Sequence, residues 1–263
     1  MTPVVQQGDG PVILAFPHVG TEVPPEVATR LNSEGLLLRD TDWHIHDLYA
    51  GLIPGLTTVT ATQSRYVIDL NRDPSGASLY PGQSTTGLIP ETTFDNVPIW
   101  DVPPGASDIA QGLATVHRPY HAALAAEVAR VRARHGVAVL YDCHSIRSRC
   151  PWLFDGVLPD LNIGTNGGTT CAQELEQAVA RVAAASGRPW VLNGRFKGGW
   201  TTRHYGRPEN GVHAIQMELA QSTHLATEEP PFALDPSKAD RLRQTLTEIL
   251  ATLADLAPRL ARA

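Results

Sequence analysis

Three short apolar runs, each leading to a side chain that can bind a metal or move a proton, constrain the fold of this chain more than any other feature. "PVILAF" at 11–16 leads to His18, "VAVLYD" at 137–142 leads to His144, and "VHAIQMEL" at 212–219 carries Glu218 near its end. Runs this short and this rich in Val, Ile and Leu read as strands buried on both faces. Further strands are expected at 57–62, 64–70 and 189–194. Longer amphipathic stretches separate them, and that alternation predicts an α/β chain with a mixed, largely parallel central sheet flanked by helices.

The last of those stretches is the clearest helix. Asp235 can cap it, Pro236 suits its first turn, and Leu242, Leu246, Ile249, Leu250 and Leu253 recur at helical spacing. "YHAALAAEVARVRARHG" should end at Gly136 and "TTCAQELEQAVARVAAASG" at Gly187, where glycine can take the left-handed conformation that closes a helix. No flexible or like-charged linker divides the sequence, so one domain is expected over residues 1–263. With 42% hydrophobic and 18% charged residues the chain can build a core, and a net charge of -6 without a basic stripe argues against nucleic-acid binding. No basic leader or membrane-length apolar run is present, which predicts a cytoplasmic protein without a membrane partner. Cys143, Cys150 and Cys171 lack CxxC spacing and are expected to be reduced, structural thiols. Residues 72–105, punctuated by Gly and Pro, predict a long ordered excursion of the kind that forms lids or substrate walls.

In open α/β sheets ligands bind beyond the carboxyl ends of the strands. "AFPHVG", "DTDWHIHDLY" and "YDCHS" could therefore bring two histidines and a carboxylate together as a catalytic metal site with a position left for water. Thr41 and Asp42 also suit a helix cap, which sequence grammar alone favours over metal binding, and His46, four residues after Asp42, would share its helix face as a reserve ligand. Asp142 and His144 have the same parity in an extended chain, with Cys143 on the other side. That parity favours Asp142 as a partner fixing the imidazole of His144. A Cys143 or Ser145 nucleophile paired with His144 is the competing reading, without a GxSxG elbow to support it. In the last strand Val212, Ala214, Gln216 and Glu218 share one face, and His213 lies on the other. A carboxylate there can serve as general base to a metal-activated water. Arg65, Arg72, Arg195, Lys197 and Arg203, near Asn71, Thr202 and Tyr205, suit recognition of carboxylates, and Gly198 and Gly199 would let backbone approach a ligand.

"PHVGTEVP", "DTDWHIHDLY", "SRYVIDLNRDP", "YDCHSIRS", "NGRFKGGWTTRHYG" and "AIQMELAQ", in this order over about residues 10–225, resemble the N-formylglutamate amidohydrolase family. The resemblance implies a fold similar to that of zinc carboxypeptidases and hydrolysis of N-formyl-L-glutamate to formate and glutamate, the last step of a histidine-degradation route. It implies a divalent metal, zinc by expectation, on His18, Asp42 and His144, with Glu218 as catalytic glutamate and Arg72 as a carboxylate or oxyanion contact. Carboxypeptidases place a glutamate three positions after the first histidine; here that position is Thr21 and the glutamate is Glu22. The middle ligand therefore stays open between Asp42, Glu22 and His46. Arg72 and Arg203, supported by Asn71, Thr202 and Tyr205, are the expected holders of the two substrate carboxylates. The rival activities are hydrolysis of another N-acyl amino acid, by an amidohydrolase or a carboxypeptidase, and non-catalytic binding of acidic amino acids. Oligomeric state is not legible.

Overall fold

The computed structural model describes residues 2–78 and 86–261. Seven strands form one sheet: β1 (Val4–Gln6), β2 (Val12–Phe16), β3 (Thr57–Thr60), β4 (Ala138–Ile146), β5 (Leu161–Gly164), β6 (Trp190–Leu192) and β7 (Val212–Ala220). Their spatial order is β1-β3-β2-β4-β7-β5-β6. The pairs β3–β2, β2–β4, β4–β7 and β5–β6 are parallel, and β1–β3 and β5–β7 antiparallel. The expected mixed, mostly parallel sheet flanked by helices is therefore present.

Among the described residues seven α-helices flank it: α1 (Pro25–Ala28), α2 (Ile45–Tyr49), α3 (Ala106–Gly112), α4 (Arg118–His135), α5 (Gln173–Ala185), α6 (Trp200–Tyr205) and α7 (Pro236–Leu260), with a π-helical turn at Leu113–His117 joining α3 to α4. Side-chain alternation along the strands divides the core in two. Leu14, Phe16, Tyr141, Cys143, Ile215 and Met217 pack with α2, α5 and α7 on one face. Ile13, Ala15, Leu140 and Ala214 pack with α4 and the π turn on the other. Asp235 caps α7 by accepting from the backbone N–H of Ser237 and Lys238, and Gly136 closes α4 at φ +73°, as expected. Among the described residues no helix is long and apolar enough to cross a membrane.

Two expectations change. Residues 64–70 form no strand, although all seven are buried. β1 pairs with β3 on the side away from β2, so the segment has no place beside β3. The segment instead turns, with Val67 N–H donating to Ser64 O and Asp69 N–H to Leu88 O. Conversely, β4 continues to Ile146, so Cys143, His144 and Ser145 lie inside a strand and not in a loop. The expected lid at 72–105 falls in part on residues 79–85, outside the described residues.

Candidate metal centre and pocket

His18 leaves the end of β2, and its backbone carbonyl accepts a hydrogen bond from Asp42 N–H at 3.0 Å. That contact draws the loop before α2 over the sheet. Asp42 does not cap α2, which begins at Ile45 behind His44 and has no side-chain cap. Gly20 has room for no side chain, since a Cβ would come within 2.3 Å of Gln63 O. The turn can thus run tightly against residues 62–63.

Among the described residues one group of His, Cys, Asp or Glu is arranged to hold a metal: His18, Asp42 and His144, all buried, offering ligand atoms within 4.8 Å of one another. Asp42 Oδ2 lies 3.3 Å from His144 Nδ1 and 3.7 Å from His18 Nδ1. Neither oxygen of this buried carboxylate has a hydrogen-bond partner. Such a group is costly to bury without a cation to satisfy it. The edge of a tetrahedron with metal–ligand arms of about 2.1 Å is about 3.4 Å, close to the two separations from Asp42, while the ligand nitrogens of the two imidazoles lie within 4.8 Å of each other. The group therefore fits a divalent ion. Glu22 is exposed and accepts from Gln63 Nε2, while His46 is exposed beside Asp47, so neither joins the group.

The far nitrogen of each imidazole meets another carboxylate. His144 Nε2 is 3.0 Å from Asp142 Oδ1, and His18 Nε2 is 2.7 Å from Asp69 Oδ1. Both contacts leave Nδ1 directed at Asp42, the usual way in which an outer carboxylate fixes a ligating histidine. Burial lowers the pKa of His18, helped by Arg65 and opposed by Asp69 and Asp42. Burial opposes charge on His144 as well, but Asp142 and Asp42 outweigh it and push its pKa well up. Asp142 is held in turn by Thr202 Oγ1 at 3.0 Å.

Asp69 was not anticipated from the sequence. Its carboxylate bonds His18 through one oxygen and Arg65 Nη2 through the other at 2.6 Å. Burial alone would raise its pKa, yet Arg65, then His18 and Arg72, hold it well below the usual carboxylate range. The available signal was a charged pair four residues apart inside an apolar run, a placement that needs either solvent or mutual pairing.

Glu218 stands beside His144 in the β4–β7 register. Gln216 Nε2 donates to its Oε2 at 3.1 Å, and Gln216 Oε1 accepts from Gly199 N–H at 2.7 Å. Burial pushes the Glu218 carboxyl up to about 8, with His144 and Arg65 pulling it down and Asp42 and Asp142 pushing it further up. Gly199 packs so closely on the Asn71 amide that a Cβ would lie 2.2 Å from its Nδ2. Asn71 Nδ2 in turn lies 3.2 Å from His144 Nε2.

These side chains open into a cavity of about 90 Å³ whose lining includes His18, Asn71, Arg72, His144, Gln216 and Glu218. Arg65 and Arg195 also line it; Phe94, Ile146, Leu153 and Phe196 supply an apolar wall. Arg72 enters with Nε donating to Thr86 O and Nη2 to Thr86 Oγ1. Three residues expected at the substrate are not part of this lining. Arg203 donates from Nε to Gly198 O, Thr202 faces Asp142, and the Tyr205 hydroxyl donates to His121 O. All three lie on α6, whose turn beyond Gly199 carries them behind the pocket wall. Lys197 is exposed and does not line the cavity either. Cys143 is fully buried on the opposite sheet face, and burial, with Asp142 and Asp42 adding to it, raises its thiol pKa well above the ordinary value. Ser145 is also buried, with its Oγ accepting from Gln221 Nε2. Neither is placed as a nucleophile in this pocket.

Residues 10–225 match the profile of the N-formylglutamate amidohydrolase family. The chain is 46% identical over 252 residues to a Pseudomonas aeruginosa protein named N-formylglutamate deformylase, covering 94% of each chain. It is 43% identical to the Pseudomonas putida protein of the same name, covering 94% of this chain and 93% of the relative. The crystal structure of N-formylglutamate amidohydrolase from Ralstonia eutropha JMP134 superposes with a TM-score of 0.81 at 26% identity, covering 98% of this chain and 99% of that one.

Proposed function

The chain belongs to the N-formylglutamate amidohydrolase family, and from that premise we propose that it hydrolyses N-formyl-L-glutamate to formate and L-glutamate, with a divalent metal on His18, Asp42 and His144. The observation that carries the reading is the meeting of two buried histidines and an unsatisfied buried carboxylate with Glu218, the neighbour of His144 across one strand pairing. Two imidazoles and one carboxylate suit zinc, which supplies polarisation of the formyl carbonyl and a water acidic enough to attack near neutral pH.

The chain's own groups do the rest. Glu218 accepts the proton of the attacking water and returns it to the amide nitrogen as the C–N bond breaks, so that formate and the amine of glutamate leave. Gln216, anchored to Gly199 N–H, steadies the Glu218 carboxylate. Arg72 receives a substrate carboxylate or the developing oxyanion, and Arg195, which lines the cavity where Arg203 does not, takes the second carboxylate. The same reading assigns the sheet to the carboxypeptidase-like class and the reaction to the last step of a histidine-degradation route.

Formate release from N-formyl-L-glutamate should stop on chelation and return with zinc, while thiol alkylation leaves it unchanged. Full release from protein stripped of metal would sink the metal mechanism. A panel of N-acetyl and longer N-acyl glutamates tests the acyl preference, and binding of glutamate without turnover would favour a non-catalytic role.

A further inference from the structure

A second histidine cluster lies behind the pocket. His117, on the π turn, and His121, one turn later in α4, have ring centroids 4.4 Å apart. Trp200 of α6 packs 5.5 Å from His117 and 4.7 Å from His121, and Tyr205 stacks on His121. Among the described residues no carboxylate oxygen forms an ion pair with either imidazole. Each ring instead points Nε2 at a backbone carbonyl: His121 at Leu70 O, 2.8 Å, and His117 at Arg72 O, 3.1 Å. A nitrogen facing a carbonyl must carry the hydrogen, so both bonds fix the tautomer.

Those carbonyls belong to the strip that supplies the pocket. Within four residues it presents Asp69 to His18, Asn71 to His144, and Arg72 to the cavity. The strip is neither helix nor strand, so no regular ladder holds its backbone. Its donors are secured by Asp69 N–H to Leu88 O and Asn71 N–H to Asp69 Oδ1. Histidines four apart on one helix face sit about 6 Å from each other, a spacing that reaches alternate carbonyls of a neighbouring chain.

We propose that His117 and His121 are positioning residues, bracketing the Leu70 and Arg72 carbonyls so that Asn71 and Arg72 enter the pocket in one fixed direction. The assignment rests on the reading of Arg72 as a substrate contact. The two histidines touch no reacting atom and act through the strip alone.

A double-mutant cycle on the zinc-loaded enzyme tests it. His117→Ala should lower kcat/KM for N-formyl-L-glutamate about tenfold, the effect of one lost hydrogen bond on a placed group. His117→Gln, whose amide can donate at a similar reach, should restore most of that loss. In the Arg72→Ala background His117→Ala should have a clearly smaller effect, that of Asn71 alone. Equal losses in both backgrounds, or failure of Gln to rescue, would overturn the bracket. If His117→Ala does not fold, His117→Asn, too short to reach Arg72 O, takes its place. Amide hydrogen exchange of residues 69–73 without substrate gives a second readout: faster in the Ala or Asn variant, near wild type in the Gln variant. If wild-type enzyme releases no formate, the proposed function fails while exchange still decides the bracket. Unchanged exchange then counts against it.

Discussion

The molecule holds two pairs of buried histidines close to one another, and their surroundings are opposite. His18 and His144 face carboxylates on both ring nitrogens, Asp42 on one side and Asp69 or Asp142 on the other. His117 and His121 face backbone carbonyls and aromatic rings. An imidazole between two carboxylates is aligned to bind a cation, because its outer nitrogen is anchored and its inner lone pair is aimed. One pressed between rings and carbonyls stays neutral and serves as a rigid donor: burial, reinforced by His117, lowers the pKa of His121 to about 3. Residue type alone does not separate a proposed ligand from a proposed bracket; the second neighbour does.

The comparison predicts a graded series. Replacing a ligand should cost most: His18→Ala or Asp42→Ala should lose bound metal and cut formate release by about 10³-fold or more, because several kcal/mol of charge stabilisation vanish. Activity near wild type in metal-free Asp42→Ala would erase the distinction between the pairs. Glu218→Gln should keep its metal by elemental analysis and lose about 10²–10⁴-fold in kcat, the range for removal of a general base. Asp69→Asn should weaken metal affinity about 10–100-fold in a competition with a chelating dye, with the ligands themselves intact.

The smallest effect belongs to the other pair. His121→Phe preserves the ring against Trp200 but leaves Leu70 O without its donor, at a cost of about 1–3 kcal/mol in denaturant unfolding. Its metal affinity should change far less than that of Asp69→Asn. The pH dependence has a definite sign. The unfolded chain protonates His121 near its ordinary 6.5, whereas the folded protein resists until about 3. His121 therefore contributes full stability above 6.5 and loses it as pH falls toward 3, by about 1.4 kcal/mol per pH unit in the middle of that window. Stability curves of wild type and His121→Phe should converge by that slope between pH 6 and 4, as two parallel curves would not.

Much of this was legible in the sequence because it depends on periodicity. The strands β2, β4 and β7 announce themselves as apolar runs, and parity alone puts Asp142 with His144, Gln216 with Glu218, and Cys143 on the far side. What stayed hidden depends on partners distant in the chain. "SRYVIDL" has strand composition, but it bends, with Val67 N–H on Ser64 O and the buried Arg65–Asp69 pair within it. Asp69 meets His18 across 51 residues, and no spacing rule records that meeting. Arg203, Thr202 and Tyr205 share a motif with Arg195, yet the turn at Gly198 and Gly199 sends the two halves to different sides of the pocket wall. β5 and β1, of four and three residues, are too short to carry a period.

The pairing of His144 with Glu218 makes the sheet itself a measuring device. Adjacent strands lie about 4.8 Å apart whatever their sequence, so the gap between the proposed metal ligand and the proposed proton carrier is inherited from backbone geometry and does not depend on loop conformation. Such a gauge resists drift in the surrounding loops but has no intermediate settings. A slip of one residue in β7 would turn Glu218 to the face of Met217 and bring a leucine or methionine to the pocket side. Loops around this pocket can vary substrate fit by degrees, while the spacing of its chemistry is either kept or lost whole.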